Sequence, residues 1–217
     1  MMGDSVPRRI IRACRERRYA ILFYLLLLTF AVNPLLGVIR PAGQALDLFL
    51  GLNLVAAAVG IRTRAGWILA VVAIAVVLRL QAAAHPSLGA LSYALWALTA
   101  LIAATTAVRF ALRAHEVGSE QIYAGLSAYL LTGLFFGAIH WSIEATWPGS
   151  YLTSTGARLT VSTAIYFSFV TLATVGYGDV VPTGEVSRGV AMLEALVGQL
   201  YLAVMVARLV SLYVMRR

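Results

Sequence analysis

Between Thr171 and Asp179 the chain reads Thr-Leu-Ala-Thr-Val-Gly-Tyr-Gly-Asp, and residues 174–178 within it carry the strongest chemical signal in the sequence. Glycine alternates with larger residues there. Gly176 and Gly178 have no Cβ, so the backbone can alternate between ordinary and left-handed dihedrals and turn successive carbonyls to one side. If several copies meet at an axis, the carbonyl oxygens of Thr174, Val175, Gly176 and Tyr177, with the Thr174 hydroxyl below them, can replace the water shell of a bare cation. The side chains of Val175 and Tyr177 then point away from the ion. The bland alternative is a glycine-rich turn that closes a helical hairpin, but an uninterrupted five-residue match is a specific signal.

Such a run needs elements that hold it inside a low-dielectric wall, and the composition supplies them. The 217 residues are 61% hydrophobic and 12% charged, with a mean hydropathy of +0.86, which places the chain among multi-pass membrane proteins. The net charge of +8 comes from arginine alone, since the chain has no lysine. These arginines gather at the ends of apolar segments, so they speak for membrane orientation and against nucleic acid. Cys14 is the only cysteine, which excludes an internal disulfide and a cysteine metal site. No nucleophile–base pair, metal-ligand cluster or phosphate loop is present, and an enzyme is not expected.

Read in order, residues 1–18 form a basic N-terminus with Arg8, Arg9, Arg12, Arg15, Arg17 and Arg18. It is expected in the cytoplasm and within reach of anionic lipid. Residues 19–108 form a four-helix region with spans at 19–38, 46–61, 66–84 and 88–108, each a run long enough, at 1.5 Å per residue, to enter or cross the hydrocarbon core. Asn33-Pro34 is expected to kink or end the first span, and Trp67 and Trp96 to anchor at interfaces. Arg62 with Arg64, and Arg109 with Arg113, mark cytoplasmic loops, while Arg40 and Arg79 are isolated exceptions on the outer side. A linker at 109–121 follows. An outer helix at 122–143 carries Gly133 and Gly137, a Gly-x-x-x-Gly face that lets a neighbouring helix approach. His140 near its outer end is expected at the interface, satisfied by headgroups or water. Residues 144–160 read as a polar outer loop, 160–172 as a short re-entrant helix whose C-terminal dipole favours a cation, and 187–214 as an inner helix. Both termini are expected in the cytoplasm and the chain in the cell membrane.

From residue 122 to 217 this succession, with Thr174-Val175-Gly176-Tyr177-Gly178 at its centre, resembles the pore module of potassium channels, and the six spans resemble the six-span members of that family. The resemblance implies an all-α membrane protein of six transmembrane helices plus a re-entrant pore helix and filter loop. It also implies a homotetramer of this subunit with three further copies, potassium as the permeant ion, and no other cofactor. Thr174 to Gly178 would be the coordinating filter, with Tyr166, Phe167, Thr171 and Asp179 as its support. Tyr166 can donate to Asp179, whereas Phe167 has no donor, so an aromatic cuff around Tyr177 would rest on packing. Tyr166-Phe167 stands where the family commonly has paired tryptophans, Ala173 where many members have a second threonine, and Val170 where some have a glutamate. Gly198 matches the family's gating hinge, the alternative being close packing against the pore helix, with Leu202 and Val206 lining the inner entrance. Glu194 and Gln199 are polar groups of open role in the inner helix, facing either the pore or a buried partner.

Two other function classes meet the same residues. A potassium-transporter subunit would normally carry four degenerate copies of the filter, and one is present here. A non-conducting scaffold or sensor would leave the filter without a use. The span at 88–108 contains no arginine, so steep voltage gating is not expected.

Overall fold

The computed structural model describes residues 17–39, 86–113 and 118–214. The expected spans at 46–61 and 66–84, most of the basic N-terminus, and Cys14, Arg40, Arg62, Arg64, Trp67, Arg79, Arg216 and Arg217 lie outside them. Among the described residues, five helices and one two-stranded sheet follow in order: α1 (Arg18–Ile39), α2 (Pro86–Arg113), α3 (Ser119–Thr146), β1 (Tyr151–Thr153), α4 (Val161–Leu172), β2 (Val180–Pro182) and α5 (Glu185–Val214). Within the described residues, Tyr93–Arg113, Ser119–Thr146 and Glu185–Arg208 are long and apolar enough to cross a membrane. Of the kink or end expected at Asn33-Pro34, the end does not occur, because α1 continues to Ile39. A proline forfeits one backbone hydrogen bond, and an apolar helix of this length retains the rest.

Helix α3 is the centre of the bundle. Alanines on its inner face, Ala124 and Ala128, are fully buried against Leu22 and Leu26 of α1 and Ala103, Ala104 and Ala107 of α2. Small residues let the backbones close in, and packing then substitutes for the hydrophobic drive that lipid does not provide. Trp96 is partly buried against this core. Polar ties fix the register of α1 on α3: the Tyr19 amide donates to Glu120 at 3.1 Å, and Ser127 donates to the Tyr19 carbonyl at 3.4 Å.

The glycine face of α3 receives α4. A Cβ on Gly137 would lie 2.9 Å from the Ile165 Cα, and one on Gly133 would lie 2.5 Å from the Phe169 ring. Glycine is therefore required by close approach at both positions. At the inner end, α5 is tied back to α3 and α2 by the Tyr201 hydroxyl donating to the Gly125 carbonyl and by Arg208 Nη2 donating to the Leu112 carbonyl at 3.2 Å.

The stretch expected to be a polar loop is partly ordered structure. α3 extends to Thr146, and β1 pairs antiparallel with β2 in the register Tyr151 to Pro182, Leu152 to Val181 and Thr153 to Val180. Glu144 fixes the connection by accepting from the Gly149 and Tyr151 amides at 3.0 and 3.2 Å. The pairing matters because β2 leaves directly from Asp179, so the outer end of the 174–178 run is clamped to the loop before α4. The Ser154 amide donating to the Asp179 carbonyl at 2.8 Å adds to that clamp.

Candidate functional site

Helix α4 aims the run. Thr160 caps its start, its hydroxyl oxygen accepting from the Thr163 amide at 3.2 Å. The last turn of α4 then holds the chain that follows: the Thr174 amide donates to the Thr171 carbonyl at 2.9 Å, and the Val175 and Gly176 amides donate to the Val170 carbonyl at 2.9 and 3.4 Å. With these amides turned back to α4, the carbonyls of the run are left for other partners.

Three left-handed residues alternate with ordinary ones. Thr174, Gly176 and Gly178 have φ of 56°, 60° and 78°. The two glycines adopt this region without penalty, and sequence reasoning found them. Thr174 is the position it missed, a β-branched residue at positive φ, which costs about 1–3 kcal/mol. Two contacts hold it there, the amide bond to Thr171 and a donation from Gln199 Nε2 to Thr174 Oγ1 at 3.2 Å. Gln199, whose role was open, thus reaches from α5 to the inner end of the run. Residues 173–178 are all exposed in the single chain, and the Tyr177 and Val175 side chains are 70% and 50% exposed.

The neighbouring aromatics divide. Tyr166 interacts with the Asp179 carboxylate, and Asp179 Oδ1 accepts from the Val180 amide at 3.1 Å. Phe167 does not join a cuff around Tyr177. It is buried on the opposite side of α4, with its ring edge-on to His140 at 4.9 Å and Tyr151 at 5.6 Å between centroids. Adjacent residues on a helix point about 100° apart, so Tyr166 and Phe167 cannot both face the run.

The inner helix touches α4 where the last turn ends. A Cβ on Gly198 would collide with the Leu172 carbonyl oxygen. That contact accounts for the glycine without a bend, and α5 is continuous from Glu185 to Val214. Leu202 and Val206 are exposed on the single chain.

Behind α4 lies a buried polar chain. His140, Glu194 and Ser168 are fully buried, and Tyr151 is 6% exposed. The Tyr151 hydroxyl meets His140 Nδ1 at 2.6 Å, His140 Nε2 meets Glu194 Oε2 at 2.7 Å, and Ser168 Oγ contacts both Glu194 Oε1 and, at 2.7 Å, the Gly133 carbonyl. The expected interfacial histidine is therefore corrected. His140 is satisfied by protein because α4, α5 and β1 close over it. Burial above all, followed by the nearby Glu194 and Glu144, pushes the Tyr151 phenol well above its ordinary range, so it stays a donor. Glu194, read from the sequence as facing either the pore or a buried partner, takes the second course, but the partners of Ser168 lie 26 and 35 residues away and were not legible.

Comparison with known proteins gives the family. Residues 125–215 match a family described as ion channel. The chain is 34% identical over 101 residues to Protein LctB of Bacillus caldotenax, a match covering 44% of this chain and 75% of that protein. It is 33% identical over 86 residues to "Two pore potassium channel c" of Oryza sativa subsp. japonica, covering 40% of this chain and 17% of the relative. It is 36% identical over 80 residues to the "Inward rectifier potassium channel Kirbac3.1" of Paramagnetospirillum magnetotacticum, covering 35% of this chain and 24% of the relative. No solved structure matches. The family match spans the helices and loops built around α4, and with these relatives it shows that the chain belongs to the ion-channel family, with potassium channels among its relatives.

Proposed function

We propose that the chain is a potassium-selective channel subunit that conducts passively through residues 174–178, four copies surrounding one axis. The observation that carries this reading is the alternation of left-handed backbone at Thr174, Gly176 and Gly178, with the amides of Thr174, Val175 and Gly176 held by α4. Carbonyls arranged in this way can exchange with the hydration shell of potassium one layer at a time. The K+ ligands are the backbone oxygens of Thr174, Val175, Gly176 and Tyr177 with the Thr174 hydroxyl, while Gly178 supplies the last turn. No cofactor enters any step.

Exposure supports the tetramer. Non-helical backbone at membrane depth must be covered by protein or line a wet cavity, and here the run and its Val175 and Tyr177 side chains are open on the single chain. Most of α5 is likewise uncovered, including Met192, Leu196 and Leu200 at helical spacing. Three further copies would cover these surfaces and set Leu202 and Val206 around the inner entrance. The termini lie in the cytoplasm in this arrangement, with the basic N-terminus against anionic lipid, and gating is not steeply voltage-dependent.

Flux from proteoliposomes tests the reading. Purified protein should release potassium and rubidium down their gradients while sodium is retained. Equal sodium flux, or transport that requires a coupled ion, would contradict it.

A further inference from the structure

The buried chain behind α4 has one oxygen contact more than the single Ser168 hydroxyl hydrogen can fill. Ser168 has one hydroxyl hydrogen and two oxygen neighbours, Glu194 Oε1 and the Gly133 carbonyl, both at hydrogen-bond distance. A serine hydroxyl donates once and accepts from others. The carbonyl can only accept, so if Ser168 donates to it, the Glu194 contact needs a hydrogen of its own. The other end bears on His140 alone. An imidazolium at His140 would donate from Nδ1 to Tyr151, and the Tyr151 hydroxyl hydrogen would then have no second acceptor among the described residues. A neutral chain satisfies every atom: Tyr151 O–H donates to His140 Nδ1, His140 Nε2–H to Glu194 Oε2, Glu194 Oε1–H to Ser168 Oγ, and Ser168 O–H to the Gly133 carbonyl.

We infer that Glu194 is held as a neutral carboxylic acid that positions α4 against α5 and α3, and so keeps the 174–178 run in its conducting shape. This rests on the conduction reading given above. The setting agrees. Glu194 and His140 have no exposed surface, and an unpaired charge there would face hydrocarbon and protein. The titratable groups facing the carboxyl are His140 and Tyr129 from α3 and Tyr151 from β1, with Glu144 beyond Tyr151. α4 contributes only Ser168 and the Phe167 ring against His140. Glu194 lies one turn before Gly198, the point where α5 rests on the end of α4, so a shift at the carboxyl is passed to the run through a rigid contact.

The substitutions separate charge from hydrogen bonding. Glutamine reproduces the neutral chain, its NH2 donating to Ser168 and its oxygen accepting from His140, whereas alanine leaves both partners unsatisfied. In bilayer recordings Glu194→Gln should retain open probability and selectivity, while Glu194→Ala and Ser168→Ala should lower open probability about tenfold or more. A folded state that holds an extra proton loses stability as pH rises. Alkaline solution should therefore reduce wild-type opening and spare the Glu194→Gln channel. Infrared spectra of purified protein in lipid should show a protonated carboxyl C=O band that Glu194→Gln lacks. A Glu194→Gln channel as inactive as Glu194→Ala, or wild-type spectra without that band, would overturn the inference in favour of an ion pair. A wild-type protein that passes no potassium current fails the conduction reading alone, and the infrared band then decides the proton by itself.

Discussion

At the scale of single residues, the proposed function has the run at 174–178 work by geometry rather than by reactive groups, and small changes have defined costs. Gly178 sits at φ 78°, so Gly178→Ala forces a Cβ into the left-handed region at about 1–2 kcal/mol per copy. Recorded currents should lose potassium selectivity or vanish. Thr174 bears a similar strain in the native chain and is held by Gln199 at 3.2 Å. Gln199→Leu removes that hydrogen bond, worth about 1 kcal/mol, and the potassium-to-sodium permeability ratio should fall roughly fivefold. An unchanged ratio would mean that the Thr171 carbonyl alone fixes Thr174. The glycines of the run were legible from sequence because positive φ has a residue signature. The Thr174 strain was not, since nothing in its residue type announces it and its restraint comes from a side chain 25 residues away.

At the scale of elements, two surfaces decide where α4 points: the glycine face of α3 and the contact of Gly198 with the end of α4. The glycines at 133 and 137 meet different neighbours, a rotatable Phe169 ring and the Ile165 backbone. A ring can move and a backbone cannot, so Gly137→Ala should destabilise the assembly more than Gly133→Ala, by about 1–3 kcal/mol against a smaller loss. Thermal dissociation of purified protein measures the order. If Gly133→Ala proves the more damaging, the Phe169 ring is fixed and α4 is positioned chiefly by it. Helix existence could be read from apolar length for α1, α2, α3 and α5. The β1–β2 pairing could not, because three-residue strands carry no periodicity, and neither could the burial of His140, which depends on four segments converging.

At the scale of the whole molecule, the described part of the N-terminal region packs on α3 and carries no charge ladder. Between 88 and 108 there is no arginine, and Arg109 and Arg113 stand at the end of α2. Moving one charge through 100 mV is worth about 2.3 kcal/mol, and steep gating takes roughly three to four such charges per subunit. The conductance–voltage relation should therefore be shallow, and neutralising Arg109 and Arg113 should leave its slope unchanged. A steep slope lost on that neutralisation would assign α2 a sensing role. The account as a whole rests on the backbone of residues 174–178 selecting potassium. The most direct measurement is the reversal potential of the purified protein in a planar bilayer with potassium on one side and sodium on the other. A reversal potential that follows the potassium gradient is the predicted result, and one near zero under the same gradient would contradict the assignment.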